Sequence, residues 1–164
     1  MGHFEQVKRE PLGSYGFDIV VACPPMKNND NVSMIARTAS CMGASRFITS
    51  GQNRVNPHIS RDCSLEIIHH RSILPVMRRY KENGYHVVGI EQSTSSCNIH
   101  AYEFPFKPIF LIVGNECKGM KQELLNELDE VIEIPLYGQP HSLNVAVAAS
   151  IVLYEYAKQF NKGM

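Results

Sequence analysis

The stretch Ile132-Glu133-Ile134-Pro135-Leu136-Tyr137-Gly138-Gln139-Pro140-His141-Ser142-Leu143-Asn144-Val145-Ala146-Val147-Ala148-Ala149-Ser150 decides how the chain is read. Val131 to Ile134 has the apolar character of a buried strand, and Pro135 stops it. A Pro/Gly loop follows. A long helix is predicted from Ser142 to Phe160, with Ser142 as N-cap and Asn144 one turn inside. From Leu143 to Leu153 that helix is apolar on every side, which predicts burial all round and a subunit interface. A polar Asn144 in such a helix needs a partner or a ligand.

Upstream, the same alternation repeats. Strands are predicted at 17–23, 46–49, 65–68, 86–90 and 109–113, and helices at 32–42, near 58–63, at 73–83 and at 120–128. Apolar strands alternating with helices imply an α/β fold, a mostly parallel sheet covered by helices on both faces. Ligands in such folds bind beyond the carboxyl ends of strands. The polar loops after Ile90, Val113 and Ile134 are therefore expected to converge on one crevice.

Two further stretches carry polar residues in apolar settings. Phe110-Leu111-Ile112-Val113-Gly114-Asn115-Glu116-Cys117-Lys118-Gly119-Met120 ends a fully apolar strand in Gly-Asn-Glu. Gly114 admits close backbone approach, and Glu116 at the edge of a core needs a partner. Glu116 also suits the start of a helix, so a plain strand-to-helix turn is the competing reading. In Asn31-Val32-Ser33-Met34-Ile35-Ala36-Arg37, the Asn and the Arg lie nearly two turns apart on one helix. Arg37 emerges from apolar neighbours, either as a buried ion-pair partner or as an anion-binding fork.

Composition bounds these readings. The chain has 164 residues, enough for one domain, and 44% of them are hydrophobic, which argues against disorder. Residues 1–16 read as a flexible leader and 17–164 as a single domain. No apolar run reaches the ~18 residues of a membrane span. The five cysteines show no C-x-x-C pair, and the seven histidines show no ligand spacing, so no metal is expected. A reducing, cytoplasmic setting is the default. The formal net charge is zero, which argues against a generic polyanion binder. The halves differ, however: residues 1–81 hold 11 Lys and Arg against 6 acids, and residues 82–164 hold 5 against 10. A basic half points to nucleic acid.

In order along the chain, N-x(5)-R-T-A, a strand ending in G-N-E-x-x-G, and I-x-I-P followed by S-L-N-V-A-x-A resemble the three motifs of the SpoU (TrmH-like) branch of the SPOUT RNA methyltransferases. The match spans about residues 17–160. Val88-Gly89-Ile90-Glu91-Gln92-Ser93 and Leu153-Tyr154-Glu155-Tyr156 look like the catalytic domain of eukaryotic-type tRNA D-loop guanosine 2′-O-methyltransferases. The resemblance implies a C-terminal trefoil knot, a homodimer, S-adenosylmethionine as cofactor and RNA as partner. It places Gln92, Gly114, Ile134, Ser142 and Leu143 around the cofactor. It places Arg37 at the catalytic arginine position, with Asn31, Glu116, Ser142 and Asn144 shaping the ribose pocket. A guanidinium is a poor proton acceptor, so Arg37 is read as stabilising the developing alkoxide, with an RNA phosphate relaying the proton. Arg37, Arg54, Arg61, Arg78 and Arg79, with Lys81, are the candidate RNA contacts. The chain departs from the family at Val32-Ser33, where Gly is common, and at Ser60–Leu65, which lacks a usual Gly. The implied reaction is 2′-O-methylation of a tRNA guanosine at position 18. The alternatives are the same chemistry on another tRNA or rRNA nucleotide, a non-catalytic RNA-binding knot domain, or a small-molecule enzyme on a flavodoxin-like sheet.

Overall fold

The computed structural model describes residues 6–8, 10, 12–13, 17–62, 64–139 and 141–160. Much of the predicted leader lies outside them. In chain order the elements are β1 (Ile19–Cys23), α1 (Asn29–Cys41), β2 (Arg46–Ser50), α2 (Pro57–Asp62), β3 (Glu66–His70), α3 (Leu74–Glu82), β4 (His86–Ile90), β5 (Cys97–Asn98), β6 (Ile109–Val113), α4 (Gln122–Leu125), β7 (Glu130–Glu133) and α5 (Val145–Phe160). The seven strands form one sheet in the order β3-β2-β1-β6-β4-β7-β5, and every pairing is parallel.

The centre of the sheet explains its composition. β1 and β6 are buried at every position. Alternate residues face opposite sides. Ile19, Val21 and Leu111 join Val32, Ile35, Ala36, Ala149 and Val152 under α1 and α5. Val20, Ala22, Phe110 and Ile112 join Val76, Met77 and Leu124 under α3 and α4. Burying each Val, Leu, Ile or Phe side chain is worth roughly 1.5–3 kcal/mol, so both layers are held by the same strands.

Several boundaries differ from the sequence expectation, each for a local reason. The Asn28 side chain accepts from the Asp30 N–H at 2.8 Å, so α1 begins at Asn29 rather than Val32. The helix predicted at 120–128 shrinks to α4. After it, Glu127 and Leu128 turn back on Leu124 and Leu125, bringing Asp129 to β4. β5, two residues pairing with β7, is too short to leave a periodic signal.

The edge where the strands begin carries an ionic network. The Asp129 carboxylate accepts from the Val87 N–H at 2.8 Å and pairs with Lys81 at 2.9 Å. Glu130 accepts from Tyr102 and lies 2.8 Å from His86 Nε2. Burial opposes ionisation of both carboxyls. Hydrogen bonds from Val87 and Lys81 on Asp129, and from Tyr102 and His86 on Glu130, outweigh it and lower both pKa values. A folded pKa below the unfolded one stabilises the fold above the unfolded value, and that stability is lost as pH falls. The urea midpoint is expected to hold steady near neutrality and to fall below about pH 4–5. Asp129→Asn should flatten this fall, and parallel curves for the two proteins would refute the assignment.

Candidate active site

At the opposite edge, where the strands end, three loops meet. They enclose a crevice of about 660 Å³, counted out to open solvent. Ile90, Val113, Ile132, Ile134 and Val145 give it apolar walls, and Glu91, Gln92, Glu116 and Glu133 give it polar groups. The expected convergence of the loops after Ile90, Val113 and the β7 strand is therefore observed. The structure brings Gln92, Gly114, Ile134, Ser142 and Leu143 together on its lining. At Gly114 a Cβ would stand 2.6 Å from Glu91 Oε2, so a side chain there would have to displace the Glu91 carboxylate.

Beside the crevice, three side chains from separate motifs form a hydrogen-bonded chain. Asn144 Nδ2 donates to Asn31 Oδ1 at 3.1 Å, and Asn31 Nδ2 donates to Glu116 Oε1 at 3.1 Å. Glu116 also accepts from the backbone N–H groups of Lys27 at 3.1 Å and Asn28 at 3.2 Å, just before α1. Burial works against the Glu116 carboxylate, but the bonds from Asn31, Lys27 and Asn28 prevail and lower its pKa. Glu116 is thus not a plain helix-starting residue: it ties the β6 loop to the entrance of another helix. Burial first, and the negative Glu116 second, hold the Cys23 thiol well above its usual range, so it stays protonated.

Asn144 corrects the expected start of the last helix. Its Oδ1 accepts from the N–H groups of Ala146 at 2.8 Å and Val147 at 3.3 Å, making Asn144 the N-cap of α5 in place of Ser142. A side chain that caps with its oxygen and donates with its nitrogen answers the demand that a polar residue here be partnered. The helix is also not buried all round. Ala146, Ala149, Val152, Leu153 and Tyr156 are buried, whereas Val147 and Tyr154 are exposed.

Arg37 is exposed and is not a buried ion-pair partner. It forms no hydrogen bond with the Asn144–Asn31–Glu116 chain. Arg54, after β2, lies on the strand-end side. Its backbone N–H donates to Asn29 Oδ1 at 3.1 Å, and its Nη1 sits 3.3 Å from His69 Nε2. Arg61 is exposed on α2 and donates to the Pro57 carbonyl at 3.3 Å. Arg79 is exposed on α3. Arg78 pairs with Glu127 at 2.7 Å, and Lys81 with Asp129, near the edge where the strands begin, away from the crevice. The departure at Val32-Ser33 has a structural counterpart: buried Ser33 accepts from the Asn56 N–H at 2.9 Å and ties α1 to the α2 loop.

Two residues escaped the sequence reading. Asn53 is buried and staples the β2 loop to the β1 loop, accepting from the Met26 N–H at 2.7 Å and donating to the Met26 carbonyl at 2.9 Å. A lone polar residue in a loop gives no periodic signal. Glu91 faces the loop after β6, and only its place at a strand end could have flagged it.

Comparison with known proteins agrees with this arrangement. The model of the SpoU rRNA Methylase family matches residues 18–154. The chain is 32% identical over 163 residues to a tRNA (guanosine(18)-2′-O)-methyltransferase of Aquifex aeolicus, covering 95% of this chain and 77% of that one. It is 28% identical over 162 residues to the tRNA (guanosine(18)-2′-O)-methyltransferase TARBP1 of Mus musculus, covering 94% of this chain and 10% of that one. The crystal structure of the A. aeolicus TrmH/SpoU tRNA modifying enzyme is similar with a TM-score of 0.77 at 30% identity, over 87% of this chain and 75% of that one. The SpoU methyltransferase AviRb of Streptomyces viridochromogenes, in complex with AdoMet, is similar with a TM-score of 0.73 at 27% identity, over 91% and 62%. With the motifs, the parallel sheet and the family model in agreement over most of its length, the chain belongs to the SpoU rRNA methylase family.

Proposed function

We propose that the protein transfers a methyl group from S-adenosylmethionine to the 2′-hydroxyl of an RNA ribose, with a guanosine at position 18 in the tRNA D-loop as its target. The observation that carries this reading is the crevice lined by Gln92, Gly114, Ile134, Ser142 and Leu143 beside the Asn144–Asn31–Glu116 chain, in a member of this family. The tRNA target is supported by the names of the A. aeolicus and mouse relatives.

The residues fit the cofactor. Ile134, Leu143 and Val145 offer apolar contact for a flat ring, Gly114 exposes backbone, and Gln92 and Ser142 offer hydrogen bonds. Glu91, Glu116 and Glu133 set a negative environment suited to a positive sulfur. S-adenosylmethionine supplies an electrophilic methyl group on that sulfur. The ribose hydroxyl must lose its proton as it attacks. Arg37 stabilises the developing alkoxide, an RNA phosphate takes the proton, and Asn31, Glu116, Ser142 and Asn144 shape the pocket. Much of the acceleration comes from holding oxygen and methyl in line. Arg37, Arg54, Arg61 and Arg79 are exposed, form no ion pair among the described residues, and offer their charge to RNA. Arg78 contributes less, because Glu127 already holds it.

We infer a homodimer from the uncovered apolar strip on α1 and α5. Met34 is 52% exposed, Val147 43% and Tyr154 61%, around one apolar groove with Ile151. Tyr154→Asp is expected to shift the sedimentation coefficient from dimer to monomer. A wild type that sediments as a stable monomer at micromolar concentration contradicts the dimer. We also infer that the segment from β6 to α5 is knotted. This is supported by β6 lying between β1 and β4 although it follows β4 in the chain. A cytoplasmic setting accords with the free Cys23, Cys41, Cys97 and Cys117.

The deciding experiment incubates the protein and cofactor with unmodified total tRNA and rRNA and maps the methylated riboses. A new 2′-O-methylguanosine in the tRNA D-loop is expected. Methylation elsewhere would keep the chemistry and move the target. No methylated ribose, with no cofactor binding by calorimetry, would leave an RNA-binding module.

A further inference from the structure

Glu91 stands at the end of β4, and beyond the negative charge it adds to the crevice it makes a set of contacts that the methyl-transfer reading does not use. Its Oε2 accepts from the Met120 N–H at 2.8 Å, and its Oε1 accepts from the Gln92 N–H at 3.1 Å. The segment it grips, 114–120, is a closed loop. Asn115 and Gly119 exchange backbone hydrogen bonds of 3.3 and 3.0 Å across its neck. A Cβ on Gly114 would stand 2.6 Å from Glu91 Oε2, and one on Gly119 would stand 2.7 Å from it. One carboxylate therefore occupies the space of two absent side chains. Gly119 also has φ +65°, which a side chain would strain. At the loop's apex, Glu116 reaches away to Asn31 and the entrance of α1.

We propose that Glu91 is a positioning residue that clamps the 114–120 loop, setting the crevice wall at Gly114 and the reach of Glu116 to Asn31 together. The inference rests on the methyl-transfer reading for its functional consequence, but the clamp itself is a property of the folded chain. The chemistry needs a carboxylate. Two N–H donors from different segments converge on its two oxygens, and a glutamine would satisfy one while turning its own NH₂ toward the other. Aspartate, one methylene shorter, loses the reach.

The test has a cofactor-free arm and a catalytic arm. By NMR, amide exchange at Met120 is expected to accelerate at least about tenfold in Glu91→Ala, as for the loss of one charge-assisted bond. Unchanged exchange overturns the clamp. In steady state, Glu91→Gln is expected to raise the cofactor KM about tenfold and lower kcat, with the RNA KM and the thermal midpoint near wild type. A cofactor KM and kcat that both match wild type overturn the positioning role. Gly114→Ala alone should weaken cofactor binding about as much as Glu91→Ala does, whereas the same change in a Glu91→Ala background should add little to the loss from Glu91→Ala. Additive effects overturn the proposed shared space. If wild type binds no cofactor at all, the methyl-transfer reading falls, and the exchange arm still decides the clamp.

Discussion

Arg37→Ala is expected to lower methyl transfer by at least about 10²-fold while leaving cofactor affinity within a few-fold, because removal of one charge-stabilising group typically costs that much in kcat. The separation of effects follows from placement. The crevice is built from the loops after β4, β6 and β7, and Arg37 is not on its lining. It sits nearly two turns beyond Asn31 on α1, exposed, with its guanidinium forming no ion pair among the described residues. An arginine kept free of carboxylates keeps its full charge for a ligand. Arg37→Lys should recover only part of the activity, since an ammonium is a point charge without the planar fork. Calorimetric titration beside single-turnover methylation separates the two effects. Near-normal turnover of the alanine variant would refute the role. Loss of cofactor affinity in parallel with turnover would move Arg37 into the cofactor pocket.

The free guanidinium was only half legible beforehand. An arginine among Met34, Ile35 and Ala36 fits a buried pair as well as an open fork, and which one forms depends on the carboxylates that the fold brings near. The strands and the convergence of their loops were more legible, because two-sided burial demands unbroken apolar runs such as 109–113. The insertion of β6 between β1 and β4 leaves no local trace. Each parallel strand carries the same apolar pattern, so the pairing order is decided by long crossovers and not by residues within the strand. The start of α5 failed for a different reason. Ser142 and Asn144 are both good caps by residue type, and the choice turns on Asn31, more than a hundred positions away, which holds the Asn144 amide in place.

That double duty of Asn144 yields the most discriminating pair of variants. Asn144→Ala removes the cap from α5 and the donor to Asn31 together. The lost cap should cost ~1 kcal/mol of stability, read as a lowered urea midpoint. Asn144→Asp separates the two roles. An aspartate oxygen still accepts from Ala146 and Val147, and its charge suits a helix N-terminus, so stability is expected to hold or rise. It has no N–H to give to Asn31. If Asn31 keeps its orientation, its Oδ1 faces a carboxylate. If its amide turns over, the Nδ2 meets the introduced carboxylate but the oxygen then faces Glu116, whose remaining partners are backbone N–H groups. One joint of the chain breaks in either case, and no rotamer of Asn31 serves two carboxylates on its two ends. The broken joint offsets the stability that the charge adds at the helix N-terminus, so the urea midpoint is expected near wild type, while the displaced ribose pocket is expected to lower methyl transfer about 10- to 100-fold. Restoring activity by a second change, Glu116→Gln, would follow if the break lies in the alternation of donors and acceptors. The amide introduced by that change can donate to the turned Asn31 oxygen while its own oxygen still accepts from the Lys27 N–H; the Asn28 N–H, which shares Oε1 with Asn31, loses its acceptor, so the restoration is expected to be partial. If Asn144→Asp is fully active, the hydrogen-bonded chain is scaffolding only, and the ribose pocket is organised by Arg37 and the crevice without it.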